Sequence, residues 1–243
     1  MTKYRKILYE SYYSNHSGEG DVLKRQAHFR QQVRYFSKEL LPHFPSDRNV
    51  RLLDVGCGFG SLLMALKEAG YGNAKGIDLS AEQLQMARSF GLENVEEADA
   101  LEFLKNAQGE YDAISAIDVL EHQTKDETVD FLKMIQSALK PGGKVVMRVP
   151  NLDAPQASVF ANADFTHELY LNKSSALQLF RSAGFSNVEV HNSLVYIENP
   201  FKEVLRKILW GLLKFRMKLE LFATARTWDN VCFTPNIIVT ASV

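Results

Sequence analysis

Four sets of residues in this chain are of types and spacings that could do chemistry. Gly56, Gly58 and Gly60 form a glycine-rich turn in Leu52-Leu53-Asp54-Val55-Gly56-Cys57-Gly58-Phe59-Gly60. Glycines let a backbone turn tightly and approach a ligand closely. A helix that starts behind such a turn aims its N–H groups and positive dipole end at whatever the turn holds. Acids recur downstream: Asp78 in Gly76-Ile77-Asp78-Leu79-Ser80, Asp99 in Ala98-Asp99-Ala100, and Asp118 in Asp118-Val119-Leu120-Glu121-His122. An acid about twenty residues beyond the turn can accept hydrogen bonds from both hydroxyls of a ribose. His122 and His167, the latter in Asp164-Phe165-Thr166-His167-Glu168, can take a proton near neutral pH. Apolar positions 201, 204, 205, 208, 209, 212 and 213 interleave with Lys202, Arg206, Lys207, Lys214, Arg216 and Lys218. That is the pattern of a basic amphipathic helix, which suits an anionic membrane surface or lipid-linked substrate, packing on the domain, or a dimer interface.

The elements that must position these residues alternate. Strands are expected near 51–55, 74–78, 94–98, 112–117 and 144–149, and helices near 60–69, 81–90, 100–106 and 126–139. Leu139-Lys140-Pro141-Gly142-Gly143-Lys144 reads as the end of the last of these helices. Such alternation implies parallel strands with right-handed crossovers and helices on both faces. The acids then close successive strands and line one crevice at the strand ends. A helix near 173–183 stopped by Gly184, a strand near 187–197 and a last strand near 231–242 follow. Pro235 in that last stretch predicts a bulge or a late start. An insertion of about 198–230 holds the amphipathic helix. Ahead of the domain, 1–20 is rich in tyrosine and small polar residues, and 21–41 reads as a helix ended by Pro42 and Pro45.

This set of motifs resembles the class I S-adenosylmethionine-dependent methyltransferases over roughly 48–190. Within that class, the Asp-x-Thr-His stretch, followed by a helix and Ala183-Gly184-Phe185, is similar to bacterial methyltransferases associated with sugars and surface polysaccharides. A dinucleotide-binding fingerprint would be G-x-G-x-x-G. Counted from Gly56, the sixth position is Ser61 and the third glycine comes one early, at Gly60, which favours the methyltransferase resemblance. The resemblance implies a Rossmann-like α/β fold with a mostly parallel seven-stranded sheet, an antiparallel last strand and a helical insertion before it. It divides the chain into an N-terminal segment and helix over 1–46 and a methyltransferase domain over 47–243.

The resemblance also implies roles. Asp78 would hold the ribose hydroxyls of S-adenosylmethionine, with Gln83 a weaker candidate. Asp54, Gly56 and Gly58 would serve its methionine part. Leu79, Asp99 and Ala100 would meet the adenine, and Ile117 and Asp118 would face the sulfonium. His167 is the first choice for general base or acceptor ligand. Otherwise it fastens its loop by bonding Asp164. His122 is the second choice, or else a residue orienting the loop after the fourth strand. The N-terminal segment reads either as a lid whose Tyr12, Tyr13 or Arg30 touches cofactor or substrate, or as an ordinary helix packed on the sheet edge.

Composition narrows the partners. A hydrophobic fraction of 46% suits a globular domain, and a net charge of −1 carries no basic stripe for nucleic acid. The motif that grips an extruded nucleic-acid base is absent. Cys57 and Cys232 sit in no CxxC or Cys/His cluster, so a zinc site is not expected, and no spacing of acids and histidines suggests a dedicated metal site. A metal requirement stays open. Met1 to Lys6 is charged, no leader or membrane-spanning run is expected, and a cytoplasmic protein is expected, peripheral at the membrane if 201–222 docks there. The expected activity is methyl transfer from S-adenosylmethionine, leaving S-adenosylhomocysteine, to an oxygen of a sugar, nucleotide-sugar or glycan. The alternatives are a quinone, lipid or other small-molecule acceptor, or a protein that binds S-adenosylmethionine without turnover.

Overall fold

The computed structural model describes Tyr4, Ile7, Leu8 and residues 22–243. Within it the alternation resolves into β1 (Leu52–Val55), α2 (Ser61–Glu68), β2 (Ala74–Asp78), α3 (Ala81–Ser89), β3 (Val95–Glu97), α4 (Ala100–Asn106), β4 (Tyr111–Ile117), α5 (Lys125–Ala138) and β5 (Leu139–Pro150). Helix α1 (Val22–Glu39) precedes them. A short helix α6 (Ala157–Ala161), then α7 (Lys173–Ser182), β6 (Ser186–Asn192), the long helix α8 (Pro200–Ala223) and β7 (Asn236–Ser242) follow.

The seven strands form one sheet in the order β3-β2-β1-β4-β5-β7-β6. β1 pairs in parallel with both β2 and β4. β7 lies antiparallel between β5 and β6. The chain therefore reverses its direction of winding between β1 and β4, and a crevice opens at their carboxyl ends. Core packing sits on both faces. Leu53, Ile114, Phe131, Ile135 and Phe180 are fully buried on one side. Leu52, Leu66, Leu84 and Val146 are buried on the other, where α1 adds Phe29, Val33, Phe36 and Leu40. The Phe29 ring stacks on Phe90 at 4.0 Å between centroids.

Three boundaries differ from expectation. The strand expected from 144 begins at Leu139, which pairs with Tyr111 before a register shift. Gly142, at φ +77°, turns the chain inside what reads locally as a helix stop. The last strand begins at Asn236, directly behind Pro235, because proline cannot donate to the ladder. The strand expected over 187–197 ends at Asn192.

Candidate active site

The glycine turn is built as its sequence demands. Gly56, Gly58 and Gly60 have φ of +69°, +54° and +84°, a region that penalises any side chain. A Cβ on Gly56 would come within 2.5 Å of Val119 Cγ2, and one on Gly58 within 2.8 Å of Gln83 Oε1. The N–H groups of Gly56 and Cys57 both donate to the Ile77 carbonyl, at 2.8 and 3.0 Å. The turn is thus fastened to the end of β2. Asp78 closes the assembly, with the Gly58 N–H donating to its Oδ2 and the Ser80 N–H to its Oδ1, each at 2.8 Å. Burial raises the Asp78 pKa above the usual carboxylate range, and these two donors pull it back. Asp54 is buried beside it, accepts from the Ser115 hydroxyl at 2.7 Å, and is pushed up to about 7 by burial and by the Asp78 charge.

Ser80 caps α3 by accepting from the Gln83 N–H, and Asp99 caps α4 by accepting from the N–H groups of Leu101 and Glu102 at 2.9 and 3.1 Å. One oxygen of Asp99 is thereby engaged locally. Leu79 is 43% exposed, an unusual position for leucine, and its surface faces the crevice. Twelve of the residues singled out by sequence line one cavity of about 680 Å³: Asp54, Gly56, Gly58, Asp78, Leu79, Gln83, Asp99, Ala100, Ile117, Asp118, His122 and His167.

His122 and His167 stand together, ring centroids 4.9 Å apart. Their loops are clipped to each other. The N–H groups of Glu168 and Leu169 donate to the Glu121 carbonyl at 2.7 and 3.1 Å. The Thr166 hydroxyl donates to Asp164 Oδ1 at 2.7 Å, so toward His122 Nδ1, also 2.7 Å away, it is the acceptor. His167 Nδ1 lies 2.8 Å from the Ala161 carbonyl, which can only accept. Both imidazoles therefore donate through Nδ1, and in the neutral tautomer this selects, the lone pair lies on Nε2. Burial, with the neighbouring His167, lowers the His122 pKa to about 4, which keeps that ring neutral. His167 fastens its loop through its ring to the Ala161 carbonyl and through its backbone N–H to the Asp164 carbonyl at 3.3 Å, while the Asp164 carboxylate accepts from the Thr166 N–H and hydroxyl.

Asp118 departs most from expectation. It adopts φ +56°, and its carboxylate is engaged by Arg148, with Nε to Oδ1 at 3.0 Å and Nη2 to Oδ2. Arg148 also donates to Glu39 Oε2 at 2.9 Å and lies over the Phe36 ring at 4.9 Å. Glu39 in turn accepts from the Leu194 N–H and the Tyr35 hydroxyl. Buried Glu39 and Arg148, with half-exposed Asp118, thus tie α1 to the cavity wall and to the segment after β6. Asp118 lines the cavity with its charge already neutralised. Arg148 and Glu39 were not legible as site residues, since 109 residues separate the pair.

Helix α1 borders the cavity through Gln32 and Phe36. Arg30 points elsewhere and pairs with Glu68 at 2.8 Å. Tyr12 and Tyr13 lie outside the described residues. Tyr4 does reach the site region: its hydroxyl donates to Glu168 Oε1 and its ring meets Phe165 edge-on at 6.2 Å.

Helix α8 stands apart from this core. None of its residues is buried, so it does not pack on the domain as a core helix. Glu203, Arg206, Trp210, Leu213, Met217 and Leu221 are half-covered. On the opposite face Phe201, Leu205, Ile208, Leu212, Phe215, Leu219 and Phe222 are all more than half exposed, Phe201 by 86%. Six basic side chains against two acidic ones give the helix a net +4, in a chain whose net charge is −1. No described helix is long and apolar enough to cross a membrane.

A family model described as a methyltransferase domain matches residues 26–190. A ubiquinone biosynthesis O-methyltransferase of Idiomarina loihiensis is 28% identical over 168 residues, 63% of this chain and 67% of that protein. One of Hydrogenovibrio crunogenus is 30% identical over 162 residues, 60% of this chain and 66% of that protein. The chain thus spans about two thirds of the length of these relatives, and less than half of others with the same name. A solved structure from Archaeoglobus fulgidus, a SAM-dependent methyltransferase, has the same fold, with a TM-score of 0.59 at 20% identity over 98% of this chain and 99% of that one. The relatives are named for ubiquinone biosynthesis, so the resemblance to sugar-associated methyltransferases narrows to the methyltransferase class as a whole.

Proposed function

This chain belongs to the methyltransferase domain family, and from that premise we propose that it transfers a methyl group from S-adenosylmethionine to a hydroxyl oxygen of a quinone-type, lipid or related small-molecule acceptor. The observation that carries the reading is the gathering of these residues in one cavity. The cavity holds the glycine turn and Asp78 together with a pair of imidazoles, each of which donates through Nδ1.

The residues present fit the cofactor. A glycine turn whose backbone borders the cavity, and a buried carboxylate with a lone pair left on each oxygen, suit a nucleoside carrying an amino acid. Asp78 would hold the ribose hydroxyls. Gly56 and Gly58 would let backbone approach the methionine part. Asp54, poised near 7, would be drawn into its ionised form by the ammonium group. Leu79, Ala100 and Asp99 would flank the adenine, Gln83 would reach the ribose, and Ile117 would border the sulfonium. Bound S-adenosylmethionine supplies a methyl group already activated on sulfur. The chain's own task is then mainly positioning. The remaining demand is a proton acceptor for the hydroxyl, which His167 Nε2 or His122 Nε2 provides.

The names of the relatives favour a quinone-type acceptor over the sugar expected from sequence. So does α8. Its apolar stripe flanked by basic side chains matches the chemistry of an anionic lipid surface, where a lipid-soluble acceptor resides. We expect the protein to co-sediment with anionic vesicles, and less as salt rises from low to physiological, because exposed charges are screened. Equal binding to neutral vesicles, or none, removes the electrostatic docking.

The acceptor class is tested with methyl-labelled S-adenosylmethionine and a cell extract separated into lipid, nucleotide-sugar, protein and nucleic-acid fractions. Label is expected in the lipid fraction and is lost with Asp78→Ala. Label confined to nucleotide-sugars restores the sugar acceptor, and label in nucleic acid overturns the reading.

A further inference from the structure

Between β5 and α7 the chain builds a second, smaller cavity of about 160 Å³. Leu152, Ala154, Ala157, Ala161, Tyr170 and Pro235 line it. Ala157 and Ala161 stand at the two ends of α6, four residues apart, so they share one side of that helix. The buried polar side chain of the wall is already used. Asn151 donates to the Cys232 and Thr234 carbonyls at 2.6 and 2.8 Å, and its Oδ1 accepts the Asp153 N–H at 3.1 Å. The space is therefore bounded mainly by carbon. Two observations set it beside the acceptor's hydroxyl. Pro150 and Asn236 line it and the large cavity alike, so the two adjoin. Its wall also holds the candidate base: the Ala161 carbonyl accepts from His167 Nδ1 at 2.8 Å, and the Tyr170 hydroxyl donates to the His167 carbonyl at 3.4 Å.

We propose that this second cavity receives a compact apolar substituent of the acceptor and so selects the hydroxyl that meets His167. Its role rests on the O-methyl transfer reading above. An apolar cavity of about 150 Å³ admits benzene. A tert-butyl or phenyl group matches that volume, and a long lipid chain exceeds it. Each buried methylene is worth about fourfold in affinity, so a group of this size is a strong anchor. An anchor in the wall that tethers His167 fixes the distance from substituent to hydroxyl, and methyl transfer depends steeply on such placement. The sequence hid the cavity because Leu152 to Ala161, Tyr170 and Pro235 come together only in the folded chain.

The test reads binding and needs no turnover. Crystals of the full-length protein are pressurised with xenon, which marks apolar cavities of this size. In solution, hydroquinone, tert-butylhydroquinone and phenylhydroquinone are titrated calorimetrically against protein saturated with S-adenosylhomocysteine. Xenon is expected between Ala157 and Tyr170, and the tert-butyl group is expected to tighten hydroquinone binding about 10- to 100-fold. Ala157→Leu, at a half-buried position, fills the space and is expected to lose both effects. Its S-adenosylmethionine affinity near wild type shows that the fold is intact. Leu152→Ala widens the same space and is expected to move the larger gain to phenylhydroquinone. Absence of xenon from the cavity overturns the pocket. So does equal affinity for hydroquinone and its tert-butyl derivative, or a gain that survives Ala157→Leu, and each leaves the O-methyl transfer reading standing. Xenon bound in the cavity, with no hydroquinone bound by the protein, overturns the quinone-type acceptor and the substituent's place with it.

Discussion

Asp78→Ala is expected to abolish detectable S-adenosylmethionine binding. Each carboxylate oxygen of Asp78 already accepts one backbone N–H, from Gly58 and from Ser80. Each has a further lone pair for one ribose hydroxyl. A hydrogen bond to a charged group contributes about 1.5–3 kcal/mol. Losing two of them costs about 3–6 kcal/mol, or about 10²–10⁴-fold in affinity. The substitution also releases the Gly58 N–H, so the glycine turn loses its tie to β2 at that point. Asp78→Asn separates the two effects. The amide keeps one oxygen for a backbone donor but offers only one acceptor, and is expected to fall between the alanine variant and wild type. Calorimetric titration, with thermal unfolding as the control for folding, measures both. Unchanged affinity in the alanine variant refutes the ribose role.

The placing of Asp78 against the glycine turn was readable from sequence because its physics is local. A tight turn with three left-handed residues needs glycine, and Gly56, Gly58 and Gly60 all have positive φ. An acid at the end of the second strand must face the turn when the two strands pair in parallel register, as Asp54 with Gly76 does. The same reasoning found Pro235 as the mark of a late strand. It misplaced Leu139 to Lys144, where Pro-Gly-Gly looks like a helix stop. There the long-range pairing of Leu139 with Tyr111 overrides the local signal.

What was not legible depends on partners distant in sequence. Asp118 reads as one more acid closing a strand. Only the folded chain brings Arg148 from β5 and Glu39 from α1 against it. The glutamate side chain is fully buried and the arginine 10% exposed. A buried charge left without its partner is strongly destabilising, so Arg148 is fixed by structural need before any role at the sulfonium. The burial of Glu121 belongs to the same category, since nothing in Val-Leu-Glu-His distinguishes a buried carboxylate from a solvated one. Helix α8 is the opposite case. Its periodicity predicted the helix correctly, and the exposure of Phe201 to Phe222 removes core packing from the readings that periodicity allowed.

His167→Ala separates chemistry from cofactor binding. The His167 ring contacts the Ala161 carbonyl and the His122 ring. The hydrogen bonds that hold the glycine turn to Asp78 and Ile77 do not pass through it. Removing it should therefore leave S-adenosylmethionine affinity near wild type. Turnover should fall by about 10²–10⁴-fold, the range for loss of a group that manages a proton in the transition state. His122→Ala is a less clean experiment, because it also strips Thr166 of a donor and loosens the loop that carries His167. His167→Gln refines the result. A glutamine can hold the acceptor by hydrogen bonding but cannot take its proton, so its turnover should stay close to that of alanine if proton removal is the demand. Recovery toward wild type in the glutamine variant would mean that the site only orients the acceptor. A loss of cofactor affinity in the alanine variant would move His167 to the cofactor's side of the cavity.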